Sequence, residues 1–267
     1  MTFLAMESII FQYFLPLILS IVRYFFLCGI PFILFYVVYK KAFAKSKIQA
    51  QLASKKDYLR EIAYSMQTTL VLAAMAVLVL KTPLSQYTQL YTNLSDYPLA
   101  WIPLSVVLTY FVHDTYFYWM HRAIHHPKLF RRVHSVHHKS VNPSPWASYS
   151  FHFFEAILEG LIIPLILVLI PMHTVAIALF AFSNFAINVY GHLGYEIVPK
   201  WFRQSVFFHI FNTSIYHNLH HTRFDKNYGL YFRFWDRIMK TENPEYVAKF
   251  DQIQENRFGS TTPSKAV

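Results

Sequence analysis

The chain has 267 residues, of which 55% are hydrophobic, 19% aromatic and only 14% charged, with a formal net charge of +10. Soluble domains are usually less apolar than this, so burial in a membrane is the first expectation. The single cysteine, Cys28, excludes an intrachain disulfide and a thiolate metal site, so metal chemistry would have to use nitrogen and oxygen. The basic residues flank apolar segments, which fits anionic lipid headgroups better than nucleic acid.

Several apolar segments are long enough to cross a bilayer, which needs about 20 residues per helix. The first, residues 9–39, holds one charge, Arg23, which we interpret as the junction of two short helices rather than a packed polar residue. The chain start lacks the features of a cleaved secretory signal, so we expect this segment to be retained. The others are residues 64–80, 98–120, 151–170 and 173–190. The last two predict a tight hairpin, and the whole predicts an all-α integral membrane protein with about four to five transmembrane helices.

Lysine and arginine predict the orientation. Seven basic residues lie between positions 40 and 60, whereas residues 82–97 contain none, so the positive-inside rule places the first loop in the cytoplasm and the second outside it. Residues 122–139 are basic again, and residues 200–265 add ten positive charges. Every basic segment therefore falls on one face, which predicts a cytoplasmic helical cap in a bacterial inner membrane or the endoplasmic reticulum.

The histidines are absent from the first 112 residues of the chain. All fourteen lie at or after His113, and most fall in segments assigned to the cytoplasmic face. His121 and His125 have i, i+4 spacing, which puts two imidazoles on one helix face. Two triplets share the offsets i, i+3 and i+4, namely HSVHH (His134, His137, His138) and YHNLHH (His217, His220, His221). Eight clustered imidazoles exceed the needs of one tetrahedral metal, so two metals are expected; nitrogen ligands suit zinc, iron, copper or nickel.

The ordered motifs FYWMHRAIHH, VHSVHH, NPSPWASYSFH and YHNLHH, followed by NYGLYFRFWDRI, resemble the sterol desaturase and fatty acid hydroxylase superfamily. Its members are integral membrane non-haem di-iron enzymes. The resemblance covers residues 114–239, and two of the segments are most similar to C-5 sterol desaturases of the lathosterol oxidase type. It divides the single membrane domain, residues 1–267, into transmembrane helices and a basic loop (1–112), a catalytic region (113–240) and a C-terminal tail (241–267).

The resemblance also implies the metal ligands. They are nine histidines: His121, His125, His134, His137, His138, His192, His217, His220 and His221. Where fatty acid hydroxylases carry a histidine pair before the last motif, this chain has Asn188 four residues before His192. One metal position is therefore expected to be vacant, filled by water or bound by Asn188, and this departure weighs against a fatty acid 2-hydroxylase.

Other residues are weaker candidates for the site. His113 and His152 are candidate ligands, with burial in a helix end as the alternative for His113 and a supporting hydrogen bond as the alternative for His152. Asp114 and Glu155 could accept the free N–H of a ligating imidazole, with an interhelix hydrogen bond or a helix cap as the alternatives for Asp114.

Residues near the last motif and at the hairpin are expected to be structural. Asn227 and Gly229 belong to a predicted turn that seats the last motif, with Gly229 at a positive φ. Asp236 is expected to pair with an arginine, and His173 to be solvated at the hairpin tip.

The resemblance implies two iron ions, O₂ as co-substrate, and hydroxylation or desaturation of a sterol-like or fatty acyl lipid from the bilayer. No nucleotide- or flavin-binding motif occurs in the sequence, so the electrons are expected from an external donor of the cytochrome b5, ferredoxin or reductase type. Two alternatives remain. A membrane zinc hydrolase of lipids would usually carry H-E-x-x-H, and a non-enzymatic metal-binding carrier would place polar residues along its membrane helices. Metal analysis would separate the di-iron enzyme from the zinc hydrolase.

Overall fold

The computed structural model describes residues 3–259, with side chains from residue 14 onward. Within that range the chain is mainly helical. The helices are α1 (Phe3–Phe32), α2 (Lys55–Lys81), α3 (Trp101–Ile124), α4 (Pro127–Val133), α5 (Phe153–Gly160), α6 (Ile162–Leu169), α7 (Thr174–Gly191), α8 (Val206–Ile210), α9 (Ser214–Arg223), α10 (Phe234–Ile238) and α11 (Tyr246–Phe258). Two short strands, β1 (Leu90–Tyr91) and β2 (Met172–His173), pair in parallel. The sequence after Arg257, rich in serine, threonine and proline, predicts a disordered end, and most of it lies outside the described residues.

In the part of the chain that the structure describes, three helical segments are long and apolar enough to cross a membrane: Phe14–Val38, Lys55–Leu80 and Thr174–Gly191. The 24-residue helix α3 is not among them, because its second half carries polar residues. The predicted span at residues 151–170 is divided into the two eight-residue helices α5 and α6. The protein is thus an all-α membrane protein, while the total of four to five spans stays a prediction.

The interpretation of Arg23 as a helix junction is wrong. Helix α1 continues through this residue to Phe32 and is followed by a π-helical turn, Ile33–Val38. The guanidinium of Arg23 donates a hydrogen bond from Nη1 to the carbonyl oxygen of Ala181 in α7, at 3.3 Å. A charge in an apolar segment is tolerated here because the neighbouring helix supplies a polar acceptor.

The hairpin tip is also different from the expectation. Strand β2 lies at this tip and pairs with β1, in the register Leu90↔Met172 and Tyr91↔His173. His173 is buried rather than solvated: its Nε2 is 3.0 Å from the carbonyl oxygen of Thr92, and its side chain caps α7 by accepting from the N–H of Val175. This small sheet connects the hairpin to the loop before α3, which contains no basic residue.

The capping side chains explain how the chain turns back at the histidine motifs. Helix α3 ends next to His125, and Pro127 starts α4 at a position where its missing N–H costs nothing. The His126 side chain accepts from the N–H of Lys128 and caps this new helix. The chain therefore reverses within a few residues, which brings residues 134–138 beside the end of α3.

Helix α9 is the centre of the cap. Thr213 caps its start, and residues 214–221 are all buried. It packs on α11 through an apolar cluster that includes Phe208, Tyr216, Tyr246 and Phe250. Residues on a buried helix are usually apolar. Three buried histidines on α9 therefore indicate a functional site at this helix.

Candidate metal centre

The structure brings all nine predicted ligand histidines together, in two adjacent groups. The first histidine group contains His121, His125, His134, His138 and His220. The second histidine group contains His137, His192, His217 and His221. Within each group the ring nitrogens that face one another lie within 4.8 Å. Each sequence triplet is divided between the groups, so that neither group is formed by one motif alone.

The nitrogen separations fit metal binding. In the first group, Nε2 of His134 is 3.0 Å from Nε2 of His121 and 3.1 Å from Nε2 of His138. In the second, Nε2 of His217 is 3.0 Å from Nε2 of His192 and 3.1 Å from Nε2 of His221. Two nitrogens about 2.1 Å from a common metal, and at right angles, lie about 3.0 Å apart.

Hydrogen bonds on the outer ring nitrogens fix the tautomers. Nδ1 of His121 lies 2.9 Å from the carbonyl oxygen of Tyr228, and Nδ1 of His220 lies 2.7 Å from that of Lys226. Nδ1 of His134 is 2.6 Å from Oε1 of Glu155. Because carbonyl and carboxylate oxygens only accept, these Nδ1 atoms carry the protons, and each Nε2 keeps a bare lone pair.

The bare lone pairs need a cation. Nε2 of His121 and Nε2 of His134 face each other at 3.0 Å although neither carries a proton in this tautomer, so they cannot form a hydrogen bond with each other. Nε2 of His220 is buried and has no hydrogen-bond partner among the described residues. A buried polar atom of this kind costs about 1–3 kcal/mol, which a metal ion at the centre of the group would offset.

Burial keeps the imidazoles neutral. It lowers the pKa of His192 and of His220 to about 4, and it holds the pKa of His137 and His217 well below the usual range. Neighbouring imidazoles in the same centre act in the same direction. At neutral pH the nitrogens are therefore free to bind a metal without first losing a proton.

Two weaker candidates lie outside both groups. His113 is buried, and its Nδ1 is 2.7 Å from the hydroxyl of Tyr231, whose own hydroxyl donates to Asn184. His152 caps α5 by accepting from the N–H of Phe154. The structure therefore gives each of them a hydrogen-bonding role in the frame around the centre.

Asn188 supports the second histidine group through its backbone. Its carbonyl oxygen lies 2.8 Å from Nδ1 of His192, while its side chain donates to the carbonyl oxygen of Ser148. This contact uses the side-chain nitrogen Nδ2, whereas a metal would be bound by Oδ1, so ligation by Asn188 stays a prediction. Sequence reasoning missed the analogous carbonyl groups of Lys226 and Tyr228, because a backbone acceptor leaves no residue-type signal.

Two of the three carboxylates considered for the site, those of Asp114 and Asp236, have partners other than the expected ones. Glu155 contacts His134 as predicted, but Asp114 accepts from the backbone N–H groups of Tyr231 and Phe232, at 2.8 and 3.2 Å, and contacts no ligand histidine. The expected Asp236–arginine pair is wrong. Asp236 accepts instead from the N–H groups of Tyr228 and Gly229, at 3.0 and 2.8 Å.

The turn after α9 also differs in detail. The positive φ is at Asn227 (61°) and not at Gly229. Glycine is needed at 229 for space, since a Cβ atom there would lie 2.5 Å from the carbonyl oxygen of Phe232. The turn presents the Tyr228 carbonyl to His121, so the NYG segment helps to orient a ligand.

An apolar cavity of about 190 Å³ lies next to two aromatic residues that pack against the histidine groups. Phe117 lines it and stands 4.9 Å, ring centre to ring centre, from His121; Phe151 lines it and stands 5.0 Å from His137. Residues of α1, α2, α5 and α7 complete the wall, with Arg23 and Glu159 among few charged groups. The cavity therefore lies among the membrane-facing helices, and Phe117 and Phe151 form its boundary with the histidine groups.

The fold and site define a class: an all-α membrane protein with a buried, paired histidine centre next to an apolar cavity. A family model described as fatty acid hydroxylase matches residues 106–241. The chain therefore belongs to the fatty acid hydroxylase family, and this match covers every histidine of the two groups.

Curated relatives agree with this assignment. The chain is 34% identical to lathosterol oxidase of Rattus norvegicus over 188 residues, covering 69% of this chain and 60% of that protein. It is 30% identical to a Delta(7)-sterol 5(6)-desaturase of Schizosaccharomyces pombe over 215 residues, covering 80% of this chain and 69% of that protein. The matched region thus spans less than two thirds of the rat protein's length. No solved structure matches the chain significantly.

Proposed function

We propose that this protein is an O₂-dependent lipid oxidoreductase that hydroxylates or desaturates a sterol-like or fatty acyl lipid at a di-iron centre. The observation that carries the proposal is the position of the apolar cavity, whose lining residues Phe117 and Phe151 pack against His121 of the first histidine group and His137 of the second. The relatives described above, a lathosterol oxidase and a Delta(7)-sterol 5(6)-desaturase, support the same reaction type.

Iron fits the donor set. Five and four neutral imidazoles, respectively, could hold one ion each, and a nitrogen shell suits iron among other transition metals. When bound, the metals would supply O₂ reduction and cleavage of an unactivated C–H bond. Hydroxylation consumes one O₂, two electrons and two protons per lipid and releases one water; desaturation consumes the same and releases two waters.

The protein's own residues would position the lipid and exclude water. The cavity wall is mostly aliphatic and aromatic, so a lipid tail would enter from the bilayer with its target carbon directed toward the histidine groups. Glu155, Asn188, Lys226 and Tyr228 hold the ligand imidazoles in one tautomer through the contacts described above. The centre faces the cytoplasm in the orientation predicted from the basic loops.

A zinc-dependent lipid hydrolase is less well supported. Glu155 is the carboxylate that contacts a ligand histidine, and it is engaged with His134 on the outer side of the ring, where it orients the ligand. A hydrolase would need a carboxylate or water-activating base on the inner side of the metal.

The lipid profile of cells with and without the protein tests the proposal. We expect an oxidised or newly unsaturated lipid that accumulates only in cells with the protein and only under oxygen. A His137→Ala variant controls for effects of membrane protein expression and should give the profile of cells without the protein. An equal change in profile without oxygen would contradict the proposed reaction.

A further inference from the structure

One surface beside the first histidine group is basic and unpaired. Between Asp114 and Glu155 the chain has five lysine and arginine residues and no acidic residue. Four of them are exposed: Lys128, Arg131, Arg132 and Lys139. Within residues 14–259 none of these four forms an ion pair, whereas other arginines of the cap do. We call this surface, on α4 and the turn after it, the α4 basic surface.

Two aromatic rings connect the α4 basic surface with the histidines. The ring of Phe130, in α4, lies 5.4 Å from that of His125 and 5.5 Å from that of His138. The ring of Phe224 lies 4.7 Å from that of His138 and 6.1 Å from that of Phe130, and Phe224 is 36% exposed. His125 is also the least buried of the nine histidines. Only one layer of aromatic side chains separates solvent from the first histidine group here.

Phe224 has an unusual backbone for its residue type. It ends α9 in the left-handed region, with φ of 65°, where glycine is the common residue. A residue with a Cβ pays about 1–2 kcal/mol for this conformation. The conformation places an aromatic ring over His138 that a glycine would not provide, which indicates that the ring has a use at this position.

We infer that the α4 basic surface docks a small acidic one-electron carrier protein, with Phe130 and Phe224 at the point of closest approach to the first histidine group. The inference rests on the proposed function, which consumes two electrons per turnover. Two successive dockings would supply them, each carrier giving one electron and becoming oxidised, while the protons come from water. An exposed apolar residue, Leu129, inside a basic rim is the arrangement expected of a transient protein interface.

Charge complementarity decides the kind of partner. An acidic carrier is attracted to four unpaired basic side chains, and the attraction weakens as salt screens it. An anionic bilayer would also match the charge, but binding to a bilayer would not explain why the Phe224 ring contacts His138. Docking of an acidic electron carrier accounts for both the charge of the α4 basic surface and the position of Phe224.

Binding tests the inference directly. The full chain is placed in nanodiscs of zwitterionic lipid, and a soluble acidic b-type haem domain and an acidic [2Fe–2S] ferredoxin are added as probes. We expect at least one probe to bind, more weakly as salt rises from about 0.05 to about 0.5 M. The double variant Arg131→Glu/Arg132→Glu should bind it at least about tenfold more weakly. The matched control Lys40→Glu/Lys41→Glu, an exposed basic pair outside this surface, should bind within about twofold of the wild type.

Several outcomes would overturn the docking site: neither probe binds the wild type, the double variant binds as tightly as the wild type, or its loss appears only in discs that contain anionic lipid. Single-turnover lipid oxidation, in which dithionite reduces the iron-loaded chain and is removed before O₂ is added, separates this test from the proposed function. The double variant should retain this oxidation with normal iron content, since Arg131 and Arg132 contact neither metal ligands nor the cavity. If the wild type itself lacks single-turnover oxidation, the proposed function fails whatever the binding result.

Phe224→Gly tests the aromatic contact. Removing the strained side chain should leave the Tm unchanged or higher, because glycine adopts the left-handed conformation freely. Reduction of the iron-loaded chain by the bound carrier should nevertheless slow at least about tenfold. A variant that is reduced as fast as the wild type would remove Phe224 from the electron path, and a lower Tm would show that its role is structural.

Discussion

A hydrogen-bond acceptor at the outer ring nitrogen, Nδ1, keeps the proton there and leaves the inner nitrogen, Nε2, free to bind a metal. Four of the nine histidines have an acceptor placed on Nδ1, three of them backbone carbonyls and one the carboxylate of Glu155. Such contacts fix the ring orientation and make the ligand more basic. The arrangement therefore selects metal binding over hydrogen bonding at Nε2.

Single ligand variants should affect the two metals separately. His220 belongs to the first histidine group and His137 to the second, so changing either to Ala removes a ligand from one group only. We expect each variant to fall from about two to about one iron per chain and to lose lipid turnover. Metal analysis of the purified variants measures this, with His126→Ala, an exposed helix cap, as the control that keeps full iron content. Full iron in the His137→Ala and His220→Ala variants would argue against the ligand assignment.

Glu155 should act through His134 and not on the lipid. Glu155→Ala removes the acceptor at 2.6 Å from Nδ1, and such outer contacts typically contribute 10- to 100-fold, so we expect iron affinity to fall by about that factor. Glu155→Gln retains a carbonyl oxygen in the same place and should lose less. Iron titration of the chelated protein measures both. Equal losses in the two variants would mean that the negative charge, rather than the hydrogen bond, is what matters.

At the scale of elements, the two similar triplets have different backbones. His217, His220 and His221 lie on α9, where i, i+4 spacing sends His217 and His221 to the second group and leaves His220 for the first. The triplet at 134–138 lies instead at the end of α4 and in a 3₁₀ turn. Spacing alone predicted the ligands, but the division of each triplet depends on how α3, α4 and α9 pack.

Helix α2 should set the size of the lipid that fits. Ala76 faces the cavity, whereas Ala74 is exposed on the outer side of the same helix. Ala76→Phe should lower formation of the oxidised lipid at least about tenfold, because a displaced substrate loses its alignment with the metals. Ala74→Phe is the matched control and should retain product formation, with both variants keeping their iron. Equal activity of the two variants would place the lipid elsewhere.

At the scale of the molecule, the motifs carried most of what could be predicted. The helical class, the membrane character and eight of the clustered histidines follow from composition and spacing, and the family resemblance added His192. The roles of Arg23, Asp114 and Asp236 did not, because a charged side chain can be satisfied by backbone groups from segments that are distant in sequence. Contacts of that kind become visible only when the helices are packed together.

The membrane orientation can be tested with the chain's single cysteine left in place. Cys28 is fully buried and should not react with an impermeant maleimide. Lys45→Cys, in the basic loop, should be labelled only from the cytoplasmic side, and Ser95→Cys, in the loop before α3, only from the other side. Right-side-out and inside-out vesicles distinguish the two. Labelling of both positions from the same side would contradict the predicted topology.

We propose that two irons occupy the two histidine groups and support oxidation of a lipid. The most direct measurement is the metal content of the purified chain, combined with Mössbauer spectroscopy of ⁵⁷Fe-grown protein. We expect about two irons per chain, both in nitrogen-rich sites. A chain that holds zinc tightly, and whose lipid-modifying activity is independent of oxygen, would contradict it.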